Sequence, residues 1–407
     1  MGRRLWNRNF VLLWQGQLIS AAGDAVYRIA IGFWILAATG STALMGALMA
    51  ASVIPRILLS PLGGTWADRV DRKWLLVLSD LGAGIAVLLL GLAALVGTVE
   101  VWMAFAVAAV LGVASSLFDP AVDSAVADIV PSRRLSQANA ALSLLGAAAA
   151  IAGNGLGGFL YQALGAAVLF VANGVSFILS AASELFLRIP PVQRRDRRPP
   201  FLSELRSGLE LVRRDSGLRT IYVATGAAHV GTTAVFVLLV PLFHRGAHLG
   251  AGAYGVAMGA MAAGALAGFF GATALTVRAP QRLPLFLVLG IGQAACLAAL
   301  PWLPGLGAMV PLMIMVGACL SVQDTLLTTA LQLAVPQDMR GKVFGFRATV
   351  VLSLGAVAMA AAGFLAETVP IAHLIVAASL TTVGGLAVVG LAPATRKLLA
   401  REDASRS

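Results

Sequence analysis

Between Ile189 and Arg219 the chain turns basic and polar, reading IPPVQRRDRRPPFLSELRSGLELVRRDSGLR, and apolar sequence dominates on either side. The two flanks have similar lengths, and each divides into about six hydrophobic blocks long enough to cross a bilayer. That pattern predicts an all-α integral membrane protein of two six-helix halves joined by a charged linker. The halves fall at 1–189 and 218–392, the linker at 190–217 and a short tail at 393–407.

Composition excludes the main alternatives. Only 12% of the 407 residues are charged and 59% are hydrophobic, where soluble proteins carry roughly 25% charge. In water such a surface would be one large sticky patch, whereas lipid requires it. The 44 glycines fit closely packed membrane helices. A net charge of +11 would suggest nucleic acid in a soluble protein. Here the basic residues sit in short gaps between apolar blocks, so topology explains them and no nucleic-acid partner is expected. Cys296 and Cys319 lie within apolar blocks, without metal-ligand spacing, and read as buried thiols. The N-terminal apolar run passes through Asp24 and Arg28 to about Leu36, too long and too polar for a signal peptide.

Helices are expected at 10–37, 43–65, 74–97, 100–122, 138–162, 166–187, 218–242, 251–276, 283–301, 305–330, 343–365 and 370–391. Counted from the N-terminus, alternate connections carry Arg3, Arg4 and Arg8; Arg69, Arg72 and Lys73; Arg133 and Arg134; the linker; Arg278 and Arg282; Arg340, Lys342 and Arg347; and the basic tail. The opposite connections offer only Arg245. The positive-inside rule therefore puts both termini and the linker in the cytoplasm.

An internal repeat supports the division. Shifted by 205 residues, Asp119 falls on Asp324, Pro131 on Pro336, and Gly158-Phe159-Leu160 on Gly363-Phe364-Leu365. Helices four and five then correspond to ten and eleven, as duplication of a six-helix unit requires.

Charges inside the apolar blocks are the candidate functional groups, because each is costly in lipid and must face protein or water. Asp24 and Arg28 are four apart on one helix face. They read either as an ion pair locking the first helix or as a cavity-lining pair that binds substrate or takes up protons. Arg56 lies between Pro55 and Pro61 and needs an acceptor, with Asp24 one option and snorkelling to the cytoplasmic face another. Asp119 and Asp123 share a face at the expected cytoplasmic end of helix four, and Asp324 matches Asp119. They read as gate residues bonding helix ends and loop arginines, or as a proton carrier. Asp80 reads as gate or loop bracing and Glu184 as interfacial.

The loop after the second helix, Gly64-Thr65-Trp66-Ala67-Asp68-Arg69-Val70-Asp71-Arg72-Lys73, resembles the signature loop of the major facilitator superfamily. The resemblance implies the major facilitator fold of twelve transmembrane helices, with Asp68, Arg69 and Arg72 latching the cytoplasmic gate beside Asp119, Asp123 and Asp324. Asp68 could cap the start of helix three or bridge to a neighbouring helix. In helix five, Gly153-Asn154-Gly155-Leu156-Gly157-Gly158 is similar to the family's glycine-rich antiporter motif, with Asn154 where proline is usual. Asn9-Phe10, Ser20-Ala21-Ala22-Gly23-Asp24, Phe118-Asp119-Pro120, Val130-Pro131 and Ala138-Asn139-Ala140 resemble the branch of macrolide efflux pumps and the enterobactin exporter.

The resemblance implies a secondary active transporter in the bacterial inner membrane, monomeric and without cofactor. It would export an amphipathic small molecule of drug, antibiotic or siderophore type by proton antiport. Asp24, Arg28 and Arg56 are then the substrate or proton-coupling residues. A facilitator or importer of the same fold, and a non-transporting sensor or assembly protein, are the alternatives. An enzyme is not expected, since no nucleotide-binding loop, metal cluster or nucleophile–base spacing stands out.

Overall fold

A computed structural model describes residues 5–67, 70–189 and 206–395, apart from 207, 208, 211, 247, 248, 275, 276, 278, 336–338 and 394. Among these the regular structure is helical. The first helices are α1 (Arg8–Thr39), α2 (Thr42–Ala67), α3 (Arg72–Leu95) and α4 (Val101–Ile129). A continuous run, Leu135–Glu184, follows a 3₁₀ turn at Ser132–Arg134. It breaks at Gly165, whose φ of 77° and ψ of 168° suit only glycine, and so divides into α5 (135–164) and α6 (166–184). After the linker come α7 (Ser216–Pro241), α8 (Gly250–Ala274), α9 (Ala279–Ala299), α10 (Leu306–Ala334), α11 (Arg340–Leu365) and α12 (Ile371–Leu391).

Eleven helical stretches among the described residues are long and apolar enough to cross a membrane. One of them, Ser132–Glu184, has 53 residues, more than twice the ~20 that span lipid. Leu78, Leu89, Phe159, Val223, Phe270, Val288 and Leu380 point outward from these helices, as lipid-facing side chains do and as water would not tolerate in such number. Cys296 and Cys319 are buried and free, as expected.

The chain forms two compact units, one holding Met1–Gly40 and Leu48–Arg198, the other Ser41–Ala47 and Pro199–Ser407. Both are built on one plan. In the first, α1 packs on α5 and α6, and α3 on α4 and α6. In the second, α7 packs on α11 and α12, and α9 on α10 and α12. The 205-residue shift carries the bounds of α4 onto those of α10, and the starts of α5 and α6 onto those of α11 and α12. It also superposes the cores. Leu13, Val122, Ala125, Val126 and Ala138 are buried in one cluster of the first unit. Leu218, Leu327, Ala330, Leu331 and Val343, their shifted counterparts, are buried in one cluster of the second.

Several expected boundaries move. Helix four does not stop at 122 but runs to Ile129, and helix ten runs to Ala334. Asp119 and Asp324 therefore lie ten residues inside their helices, about 15 Å from the end, not at it. The cap of α3 is Asp71, whose Oδ1 accepts from the Lys73 N–H at 2.9 Å.

Candidate functional site

The site is organised by α1. Asn7 starts the helix by accepting the Phe10 N–H at 3.0 Å, and Gly40 ends it with φ of 66°. The helix runs uninterrupted past Asp24 and Arg28, so the two side chains stand one turn apart on one face. Asp24 Oδ2 lies 3.6 Å from Arg28 Nη1, an ion pair rather than a hydrogen bond. Its other oxygen, Oδ1, accepts from Asn173 Nδ2 of α6 at 3.2 Å. Ser176, one turn further along α6, donates to the Asn173 backbone oxygen at 2.8 Å and lies 3.1 Å from Asn173 Oδ1. Gly23 makes this possible, because a Cβ there would fall 2.4 Å from Ser176 Oγ and 2.5 Å from Asn173 Oδ1.

Helix α5 closes the other flank of α1. A Cβ on Gly153 would meet Ala25, and one on Gly157 would meet Ile29. The glycine motif thus lets α5 touch α1 beside Asp24 and Arg28, with Gly158 buried and Asn154 half-buried. Tyr27 and Phe33 are buried. Tyr27 packs edge-on against Phe170, at a centroid distance of 5.3 Å, and Phe33 lies tilted against Tyr161 at 5.6 Å.

Arg56 pairs with Asp119, not with Asp24. Its Nη2 reaches Asp119 Oδ2 at 2.6 Å across α2 and α4, so no snorkelling to the helix end is needed. The charge of Asp119 acts on both Asp24 and Asp123. Asp123 is exposed and has no hydrogen-bond or ion-pair partner among the described residues. Asp24, Arg28, Arg56, Asp119 and Asp123 are therefore one electrostatic group in the first unit, three acids against two bases.

The remaining gate candidates lie elsewhere. Arg72, nearly buried at the start of α3, forms an ion pair with Asp128 at the end of α4. Asp324 pairs with Arg347 of α11 at 3.3 Å. Asp68 and Arg69 lie outside the described residues. Asp80, read as gate or loop bracing, is almost fully buried at 3% exposure, and Glu184, read as interfacial, is instead buried at 0%. His229 bonds Thr233 within α7 at 3.2 Å. No cluster of three or more acidic, His or Cys side chains able to hold a metal is found among the described residues. Asn173 and Ser176 were not singled out in the sequence. The signal was present, since Asn173, Ser176, Ser180 and Glu184 repeat at helical spacing in an otherwise apolar stretch.

Two bundles of lipid-facing helices with a charged group inside the first define a multi-pass membrane transporter. The chain belongs to the Major Facilitator Superfamily, whose family model matches residues 13–360. It is 27% identical over 97% of both chains to the uncharacterized MFS-type transporter YfiS of Bacillus subtilis (strain 168). It is 24% identical to macrolide efflux protein A of Streptococcus pyogenes, over 58% of this chain and 57% of that one. In fold it is similar to a bacterial homolog of the human lysosomal transporter Spinster, with a TM-score of 0.70, 15% identity and 98% of each chain covered.

Proposed function

We propose that the protein is a secondary active exporter of an amphipathic small molecule, driven by inward proton movement. It would cross the bacterial inner membrane twelve times, with both termini cytoplasmic, and work as a monomer. The observation that carries the reading is the excess of acids in the central group. Asp24 is shared between Arg28 and Asn173, Arg56 is committed to Asp119, and Asp123 is left over. A group of three carboxylates and two guanidiniums has room for one proton or one cationic substrate moiety, and the two compete for it by charge. That competition is the elementary requirement of antiport.

In this reading Asp24 is the coupling residue. Protonated, it loses its attraction for Arg28 and can still accept from Asn173. Ionised, it draws Arg28 back over the site. The Arg56–Asp119 pair ties α2 to α4 and sets the field at Asp24. Arg72, with Asp68 and Arg69, braces the cytoplasmic ends as a gate. The similarity to a macrolide efflux protein supports export and an amphipathic cargo.

Everted inner-membrane vesicles test direction. Energised with a proton gradient and given a panel of macrolides and lipophilic fluorescent cations, they should accumulate substrate, and right-side-out vesicles should not. Accumulation in right-side-out vesicles alone would establish an importer. Equilibration insensitive to an uncoupler would establish a facilitator.

A further inference from the structure

The polar residues of α6 form one continuous face. Asn173, Ser176, Ser180 and Glu184 are spaced by three, four and four residues, and all are at most 8% exposed. Over these eleven residue steps the helix rises about 16 Å. The face runs from the central Asp24 to the end of the unit where α1 begins, the end at which Asn9 donates to the Arg188 backbone oxygen at 2.8 Å.

Helix α1 is cut to receive this face. Gly23 sits against Asn173 and Ser176, and a Cβ on Gly16 would lie 3.0 Å from Ser180 Oγ. Beside Gly16, the Nε2 group of Gln17 is buried with no partner. Ser20, 7% exposed, donates to the Gln17 backbone oxygen at 3.4 Å. Ser180 Oγ is buried and has no hydrogen bond of normal geometry, although it faces Asp80 of α3. Asp80 Oδ2 and both carboxyl oxygens of Glu184 are likewise buried and unpartnered.

Asp80 and Glu184 act on one another electrostatically, and Asp24 of α1 acts on Asp80. These three acids are the charged groups that bear on the pair from α1, α3 and α6, and no cation among the described residues offsets it. Two like charges, sealed from water with Ser180 as the one hydroxyl facing them, cannot both persist as anions.

We propose that Asp80 and Glu184 form a second protonation site that shares one proton at neutral pH, joined to Asp24 by the polar face of α6. The proton leaves the Asp24 carboxyl, passes along Ser176 and Ser180 with bridging water, and comes to rest on a carboxylate oxygen of the pair. Asp24 is left as the carboxylate that Arg28 and Asn173 hold. Side chains one helical turn apart, about 5.4 Å, are within the span of one hydrogen-bonded water. Protons would thereby pass between Asp24 and the pair through the interior of the first unit rather than through the substrate pathway.

The path rests on the proposed coupling role of Asp24, but the pair does not, and infrared spectroscopy separates them without a substrate. In lipid-reconstituted protein at pH 7, the carbonyl stretch of a protonated carboxyl should be lost both in Asp80→Asn and in Glu184→Gln, and kept in Asp24→Asn. Asp80→Glu, which retains the acid, should shift the band rather than remove it. If the band is the same in the native protein, Asp80→Asn and Glu184→Gln, the pair holds no proton and the proposal fails. After a pH jump, protonation of Asp24 followed by time-resolved infrared should slow at least tenfold in Ser180→Ala. An unchanged rate would leave the pair as a static acid and overturn the path.

Discussion

Arg56 of α2 and Asp119 of α4 meet at 2.6 Å, whereas Asp324, in the matching place of the second repeat, takes its guanidinium from Arg347 of α11 at 3.3 Å. The duplicated aspartate has been kept in position while its partner has changed helix. The same residue type therefore ties α2 to α4 in one unit and α10 to α11 in the other.

Removing one member of the first pair should cost more than removing both. Arg56→Gln leaves Asp119 within the bundle with no counter-charge, and Asp119→Asn does the same to Arg56. Each side chain is about half exposed, so screening reduces the several kcal/mol of a fully buried pair to about 1–2 kcal/mol. The double variant should recover part of the stability lost by each single one. Thermal unfolding in detergent across the four proteins gives the coupling directly.

Gly23→Ala should damage transport more than folding. The added methyl would fall on Ser176 and Asn173, and overpacking of this kind costs about 1–3 kcal/mol. Displacing Asn173 removes the donor to Asp24, so substrate-dependent flux should fall by ~tenfold or more. Flux and melting temperature measured on the same preparation decide it. Native flux in Gly23→Ala would mean that Asn173 has no part in coupling.

The start of α3 should depend on Arg72 more than on its cap. Arg72→Ala strands Asp128 and should cost about 3 kcal/mol, while Asp71→Ala removes one cap bond and should cost about 1 kcal/mol. Hydrogen exchange over residues 72–76 should rise in both variants, and further in Arg72→Ala.

Glu367, just beyond α11, holds the start of α2. It accepts the Ala43 N–H at 2.9 Å and the Ser41 hydroxyl at 2.7 Å. These donors, the Ala43 amide foremost, hold its carboxyl below the usual glutamate value, as expected for an anion at a helix N-terminus. A lowered value means the contact contributes fully above about pH 4.3 and is lost as pH falls through the folded value. Exchange of the amides at 42–45, corrected for intrinsic rate, should therefore rise at acid pH in the native protein. In Glu367→Gln it should be raised and flat with pH.

The membrane class, the two-unit plan and the repeat were legible because lipid forces every span to be apolar and every charge to be noticed. Asp24 with Arg28 was legible for the same reason, since helical spacing fixes that contact locally. The partner of Arg56 was not, because contacts between helices depend on rotation and depth, which spacing does not carry. The position of Asp119 was misplaced because the apolar run of α4 ends before the helix does. The polar residues from Asp123 to Asp128 look like loop in the sequence but continue the helix to meet Arg72. Glu184 was misjudged by its nearness to the linker, whereas the helix turns it inward, in phase with Asn173 and Ser180. Asp68 and Arg69, the core of the signature loop, lie outside the described residues.

Proton flux in liposomes loaded with a pH-sensitive dye tests the central claim most directly. Native protein and Asp24→Asn, each shown to be folded, would be compared under an imposed proton gradient while a substrate identified in everted vesicles is added. The account predicts substrate-dependent proton movement in the native protein and none in Asp24→Asn. Substrate transport without proton movement in the native protein, or undiminished proton movement in Asp24→Asn, would contradict it.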